Sequence, residues 1–341
     1  DIDCKGKYEL SIQENAGIRE VLVYYKKVSC RLPGISHLQK YLRNKKALEL
    51  GFQEVQKTAR TDLVHLNVTF PAGLFALNLK KNKALQYILT EHWTIFLNSD
   101  PSDFPKGSRK AILNILKQAS VICPVSFDLQ KALKTFAPDN TYQVVNNVVD
   151  TDLFTIRKHE NPRKRIVHVS TLAEKQKNIS GILRVIKKLS EVRDDFEILI
   201  VGDGDIDPHK TYAESLGIPR EGLVEFKGKQ DIEIIAQIMQ DADIFLLFSH
   251  YENLPCVIIE AHASGLAVVS SEVGGIAEMI NDQNGVLVPA GDEETLLEKL
   301  NHMLDNNHMF DREMIRAEAV QKYSYNVIGK QFFEIYKKVI P

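Results

Sequence analysis

The sequence predicts an α/β fold made of parallel sheets. Short, continuously apolar runs alternate with stretches of helical spacing. The runs lack a polar face, as expected for strands covered by helices on both sides. At 341 residues the chain suggests two such domains rather than one.

Taken in order, residues 8–13 and 19–25 flank Asn15-Ala16-Gly17 and read as an antiparallel hairpin. A basic helical stretch follows at 37–57. Residues 62–66, 86–90 and 121–125 read as buried strands, with helices at 74–79, 110–119 and 126–135. VVNNVV (144–149) and residues 150–154 close this half, and the charged stretch 156–164, with Asn161-Pro162, is the expected linker. Strands are then expected at RIVHVST (165–171), FEILIV (196–201), 221–227, ADIFLLFS (242–249), 266–271 and 286–288. Between and after them come helices at 178–191, 232–240, 255–264, 276–280, 293–304 and much of 327–339.

Composition narrows the function classes. Hydrophobic residues make up 44% and charged residues 26%, an ordinary globular balance. No apolar run approaches the ~18 residues that span a bilayer, and no signal-type apolar region opens the sequence, so secretion is not expected. Cys4, Cys30, Cys123 and Cys256 are far apart, which suggests a reducing compartment without disulfides. The net charge of −2 is uneven: residues 1–155 carry 21 Lys/Arg against 15 Asp/Glu, and residues 156–341 carry 22 against 30. The basic surplus, in 40–46 (KYLRNKK) and 106–117, is expected to face an anionic membrane surface or an acceptor phosphate; no nucleic-acid partner is expected.

Parallel strands place their exits on one edge of a sheet, and ligands bind there. Four loops qualify: 171–177, 202–205, 250–255 and 272–275. In the third, Asn253 is read as an N-cap and Pro255 as part of the first helical turn. The exposed N–H groups of that helix would receive phosphate. Glu252 precedes the helix, and Glu260 sits about two turns on among apolar neighbours, where an acid needs a partner. Gly274 and Gly275 would permit close approach of a ligand, and Lys175 and Lys177 would neutralise a diphosphate. Gly202-Asp203-Gly204 lacks the third glycine of a dinucleotide fingerprint, and Asp203, Asp205 and Asp207 lack the rest of a calcium loop, so no metal is assigned.

ENLPCVIIE (252–260), followed by AHASGLAVVSSEVGG and NGVLVP (284–289), resembles the retaining glycosyltransferases of family four, the group 1 glycosyl transferases. VGDG (201–204), FKG (226–228), QKN (176–178), TEHW (90–93), PVS (124–126) and NNVVDTDLF (146–154) add to the resemblance, which covers about residues 62–339. It implies the GT-B fold, two Rossmann-like domains facing each other across a cleft. Residues 1–155 would form the acceptor-side domain, 156–325 the nucleotide-sugar domain, and 326–341 a helix crossing back. By the same resemblance Glu260 would hold the ribose. Glu252 and the N–H groups near Asn253, Leu254 and Pro255 would hold the donor sugar and phosphates, with Gly202, Gly274, Gly275 and Lys175 beside them. Lys177 would stabilise the departing diphosphate, His92 would touch the donor sugar, and Lys229 and Gln230 would lie near the base.

Two departures stand out. Thr171 occupies the place of the family's usual arginine, and the family's first strand–helix unit has no match before Leu10, so an incomplete N-terminal domain is expected. The resulting expectation is a cytoplasmic retaining hexosyltransferase of cell-surface polysaccharide synthesis, peripheral on the inner face of the membrane. Its donor would be a nucleoside diphosphate-sugar and its acceptor a glycan or lipid-linked sugar, with no cofactor. A non-catalytic nucleotide-sugar binding protein and a sugar-nucleotide epimerase are the alternatives.

Overall fold

The computed structural model describes residues 6–15, 17–26, 33–97, 104–105, 107–157, 162–218 and 222–340, with the side chains of 33–38 left undescribed. Cys4, Cys30, Lys106 and part of the expected linker therefore lie outside the described residues.

The chain opens with β1 (Tyr8–Asn15) and β2 (Ile18–Tyr25), paired antiparallel through to Asn15 opposite Ile18. Gly17 holds φ +77° in the two-residue turn, a conformation that suits glycine. Helix α1 (Pro33–Gln56) packs on β2, and an Arg19–Glu54 ion pair at 3.3 Å ties the two. A parallel three-stranded sheet follows: β3 (Leu63–Asn67), β4 (Gln86–Glu91) and β5 (Val121–Pro124), in that spatial order. Helices α2 (Gly73–Lys83), α3 (Arg109–Gln118) and α4 (Phe127–Lys134) accompany it. Ser126 starts α4 by accepting the Leu129 N–H at 3.0 Å.

The second sheet contains β6 (Lys164–Ser170), β7 (Phe196–Gly202), β8 (Val224–Gly228), β9 (Ile244–Leu247), β10 (Ala267–Ser271) and β11 (Gly285–Val288). Its order is β11-β10-β9-β6-β7-β8, parallel throughout. The chain starts in the middle, winds out to β8, then returns beside β6 and winds the other way. This is the doubly wound dinucleotide-fold order, with its reversal between β6 and β9. Helices α5 (Glu174–Lys177), α6 (Ile179–Leu189), α7 (Asp207–Ser215), α8 (Ile232–Gln240), α9 (Cys256–Ala263) and α10 (Glu293–Asn306) connect and cover the strands. In α6, Ile179, Ile182, Leu183, Ile186 and Leu189 are all buried, as their spacing predicts.

Three helices differ from the sequence expectation: α5 lies within the expected 171–177 loop, and α7 and α11 are additional. Helix α7 begins at Asp207, the last of the three aspartates of the acidic 203–207 stretch. Helix α11 (Arg312–Tyr323) is announced by Asp311, which accepts the N–H groups of Glu313 and Met314, and by buried Ile315, Ala319 and Tyr323 at i, i+4 and i+8. The 276–280 helix is instead a 3₁₀ turn over Gly274–Glu278. The last helix, α12 (Tyr325–Val339), lies against the first sheet: Ile328 and Ile335 pack with Ile88, Val121 and Cys123, and the Tyr336 hydroxyl meets His65 Nδ1 at 2.7 Å. Burial pushes the His65 pKa down to about 4, with His92 adding to the effect. Among the described residues no helix is long and apolar enough to cross a membrane.

Candidate active site

A cavity of about 370 Å³ opens beyond the carboxyl ends of β6, β7 and β9, where the winding reverses. The exit of β6 contributes Ser170, Thr171 and Lys177; that of β7, Val201, Gly202 and Asp203; that of β9, Glu252, Pro255, Cys256 and Val257. Lys229, Gln230 and Ile235 close the side beyond β8.

The β6 exit is shaped from beneath. Buried His168 bridges the Leu246 carbonyl at 2.9 Å and Ser170 Oγ at 2.8 Å, and burial pushes its pKa down to about 4. Ser170 Oγ also accepts the N–H of Leu172, which sits at φ +55°. A Cβ on Gly202 would lie 2.0 Å from the Ser170 carbonyl oxygen, and one on Gly204 would lie 2.5 Å from that of Thr171. The VGDG glycines are thus required by this loop before any ligand is considered.

Lys177 is buried and its Nζ pairs with Glu252 Oε1. Ser249 Oγ donates to the same oxygen at 2.7 Å, and Gln176 Nε2 donates to Oε2 at 3.3 Å. Glu252 therefore meets three protein donors, two of them on Oε1, and ties Lys177 to the cavity wall. Ser249 is not among the residues expected from sequence; its Ser-x-x-Glu spacing to Glu252 is the one local signal for it.

The N-cap reading of Asn253 is corrected. Helix α9 begins at Cys256 with Pro255 as its cap residue and no side-chain cap. Asn253 lies too early to cap it, and its side chain leaves the domain: Nδ2 donates to the His92 carbonyl at 3.0 Å, and Oδ1 accepts from Ser126 Oγ at 2.9 Å. The Leu254 carbonyl accepts from Asn147 Nδ2 at 2.7 Å. Gly274 and Gly275 also serve protein contacts. A Cβ on Gly274 would lie 2.1 Å from the Glu252 carbonyl oxygen, and one on Gly275 would lie 2.8 Å from Ser126 Cβ and 2.9 Å from the Asn253 carbonyl oxygen. Neither glycine lines the cavity, and Lys175 is exposed outside it.

Glu260 lies one helical turn beyond Cys256 on the same face of α9. Its carboxyl group has no hydrogen bond or ion pair to a described residue, and burial pushes its pKa up to about 7. His92 comes from the opposite domain, at the exit of β4. Its N–H donates to buried Glu91 at 2.9 Å, and its Nδ1 lies 3.1 Å from Asn147 Oδ1. Glu91 and Asn147 were not singled out from sequence, because their partners lie in distant segments.

A family model described as glycosyl transferases group 1 matches residues 163–306, and one described as glycosyltransferase family 4 matches residues 12–153. The chain belongs to this glycosyltransferase family. It is similar to the N-acetyl-alpha-D-glucosaminyl L-malate synthase of Bacillus anthracis, at 26% identity over 86% of this chain and 79% of that protein. Similarity to the phosphatidyl-myo-inositol mannosyltransferase of Mycobacterium leprae is higher, 32%, but covers only 52% of this chain and 47% of that one. Among solved structures, HepE of Anabaena, in complex with UDP and glucose, superposes with a TM-score of 0.69 at 20% identity, over 84% of this chain and 80% of that one. That likeness establishes the GT-B fold for this glycosyltransferase.

Proposed function

We propose that this glycosyltransferase moves a hexosyl group from a nucleoside diphosphate-sugar to a glycan or lipid-linked acceptor, with retention at the anomeric carbon, in cell-surface polysaccharide synthesis. The observation that carries the proposal is the buried Lys177–Glu252 pair set in a cavity at the switch point, with Glu260 unpartnered one turn along α9. The ribose hydroxyls would occupy Glu260. The diphosphate would lie against Lys177 and the unpaired N–H groups at the start of α9, whose dipole favours negative charge. The bond from the anomeric carbon to the diphosphate oxygen breaks on the face where the acceptor oxygen adds, and the acceptor proton passes to the departing phosphate. Lys177, Lys229 and the helix end supply the countercharge a metal ion would otherwise bring. The Anabaena neighbour's bound UDP and glucose support this choice of ligand.

The test is donor turnover and thermal stabilisation with UDP-, GDP-, ADP- and CMP-sugars. One nucleotide class should raise the melting temperature, and Glu260→Ala should abolish the shift. No response to any donor would sink the proposal. Binding without turnover would favour the non-catalytic reading, because Thr171 lines the cavity where the resemblance implies an arginine. Hydroxyls bind the ionised form of Glu260, so binding should release a proton. Affinity for the nucleotide class that raises the melting temperature should then increase more steeply between about pH 5.5 and 8 in the wild type than in Glu260→Gln. The stability sign is opposite in the empty protein. A carboxyl raised to about 7 favours the fold below its unfolded value, and that contribution is lost as pH rises through about 7.

We also propose a cytoplasmic, peripheral contact with anionic membrane through α1, which exposes Lys40, Tyr41, Leu42, Lys45 and Lys46. Failure to sediment with anionic vesicles at low salt would count against it.

A further inference from the structure

A series of hydrogen bonds crosses the cleft, and the direction of each is fixed by chemistry. The Leu129 N–H donates to Ser126 Oγ, which leaves the Ser126 hydroxyl hydrogen to reach Asn253 Oδ1 at 2.9 Å. With that oxygen engaged, Asn253 offers Nδ2 to the His92 carbonyl at 3.0 Å. The backbone of His92 is thereby held by the opposite domain. The side chain is held by a second route. The Leu254 carbonyl can only accept, so the Asn147 amide must turn Nδ2 toward it, at 2.7 Å. Asn147 Oδ1 then faces His92 Nδ1 at 3.1 Å. An oxygen at that position requires the hydrogen on Nδ1, and a neutral imidazole so arranged carries its lone pair on Nε2. No described residue is a hydrogen-bond partner of Nε2.

We propose that Asn147 is a positioning residue: anchored on Leu254 of the facing domain, it selects the His92 tautomer whose Nε2 accepts a hydrogen bond from a donor-sugar hydroxyl. The proposal rests on the donor site described above. It makes His92 competent only when the domains are docked. If the cleft opens, Asn147 loses the carbonyl that orients it, and the ring loses its fixed acceptor. Leu254 acts here through its backbone alone, so the side chain at 254 is free of this role.

The experiment uses protein labelled with ¹⁵N-histidine, with the His92 signals assigned through His92→Gln and the ring nitrogens read by long-range ¹H–¹⁵N correlation at about pH 8, where imidazoles are generally neutral. The wild type should show a protonated Nδ1 and a bare Nε2. Asn147→Asp keeps an acceptor for Nδ1 and should preserve that pattern, whereas Asn147→Ala should shift the ring toward the Nε2–H form. A general folding defect would not separate the two variants in this way. In donor turnover, Asn147→Ala should lower kcat about 10–100-fold while UDP affinity stays within about twofold. An Nε2–H ring in the wild type, an unmoved tautomer in Asn147→Ala, or a loss of UDP affinity matching the loss of kcat would each overturn the proposal. If the tautomers behave as expected but the wild type turns over no donor, the transferase mechanism fails and the Asn147–His92 arrangement stands.

Discussion

In the six-stranded sheet, β6, β7, β9 and β10 each have a strand on both sides; in the three-stranded sheet β4 does, while the outer side of β5 meets the irregular 141–145 segment through an Ile122–Tyr142 bridge. The larger sheet winds in two directions and so contains a point where neighbouring crossovers part. The smaller winds in one, β3 to β4 to β5, and contains none. The consequence is a division of labour. The doubly wound sheet makes a crevice that takes a ligand. The singly wound sheet contributes loop ends, His92 after β4 and Ser126 after β5, that reach across to that crevice's rim. The hairpin β1–β2 differs from both. It joins neither sheet and leaves Ile12 and Ile18 about half and two-thirds exposed, at 48% and 67%.

The largest effect is expected at Lys177. Lys177→Met should strand Glu252 as a buried, uncompensated charge, costing about 3–5 kcal/mol. Donor turnover should fall by about 10²-fold or more. Adding Glu252→Gln should restore most of the stability, read by denaturant unfolding, and none of the turnover. If stability stays low in the double variant, the pair is not what holds this crevice together.

A smaller effect is expected where the two sheets meet. Glu278, at the end of the 3₁₀ turn, accepts the N–H groups of Phe127 and Asp128 at 2.8 Å each, so a side chain from one domain caps helix α4 of the other. Glu278→Ala should cost about 0.5–1.5 kcal/mol. It should also raise the radius of gyration in small-angle scattering as docking weakens, and an unchanged radius would show that the remaining cleft contacts suffice. The smallest effect belongs to the hairpin. Ile18→Ser, at an exposed turn-flanking position, should change stability by no more than about 0.5 kcal/mol. A larger loss would mean that the hairpin is covered in the intact protein.

Much of the frame was legible in the residues. Uninterrupted apolar strands such as FEILIV and ADIFLLFS mark a sheet covered on both faces, and the five apolar positions of α6 mark the side it buries. Because parallel strands exit on one edge, the strand–helix alternation by itself places the loops holding Lys177, Gly202 and Glu252 together. The weaker signals failed for a reason. The short apolar series of α11 is spread among charged residues, and the Asp-Pro start of α7 looked like another turn of an acidic loop.

By itself, then, the sequence determined the strand–helix alternation, the two parallel sheets and the family, since these follow from local periodicity and contiguous motifs. Tertiary structure alone decided what each polar atom does. Asn253 has the local credentials of a cap yet bonds His92 and Ser126, 161 and 127 residues away. Asn147 finds Leu254 at a separation of 107 residues. Gly274 and Gly275 are demanded by neighbouring backbone and by Ser126, not by spacing. Hydrogen bonds between distant segments form only after packing has brought the segments to within 3 Å or so, and no period or motif along the chain encodes which partner will arrive.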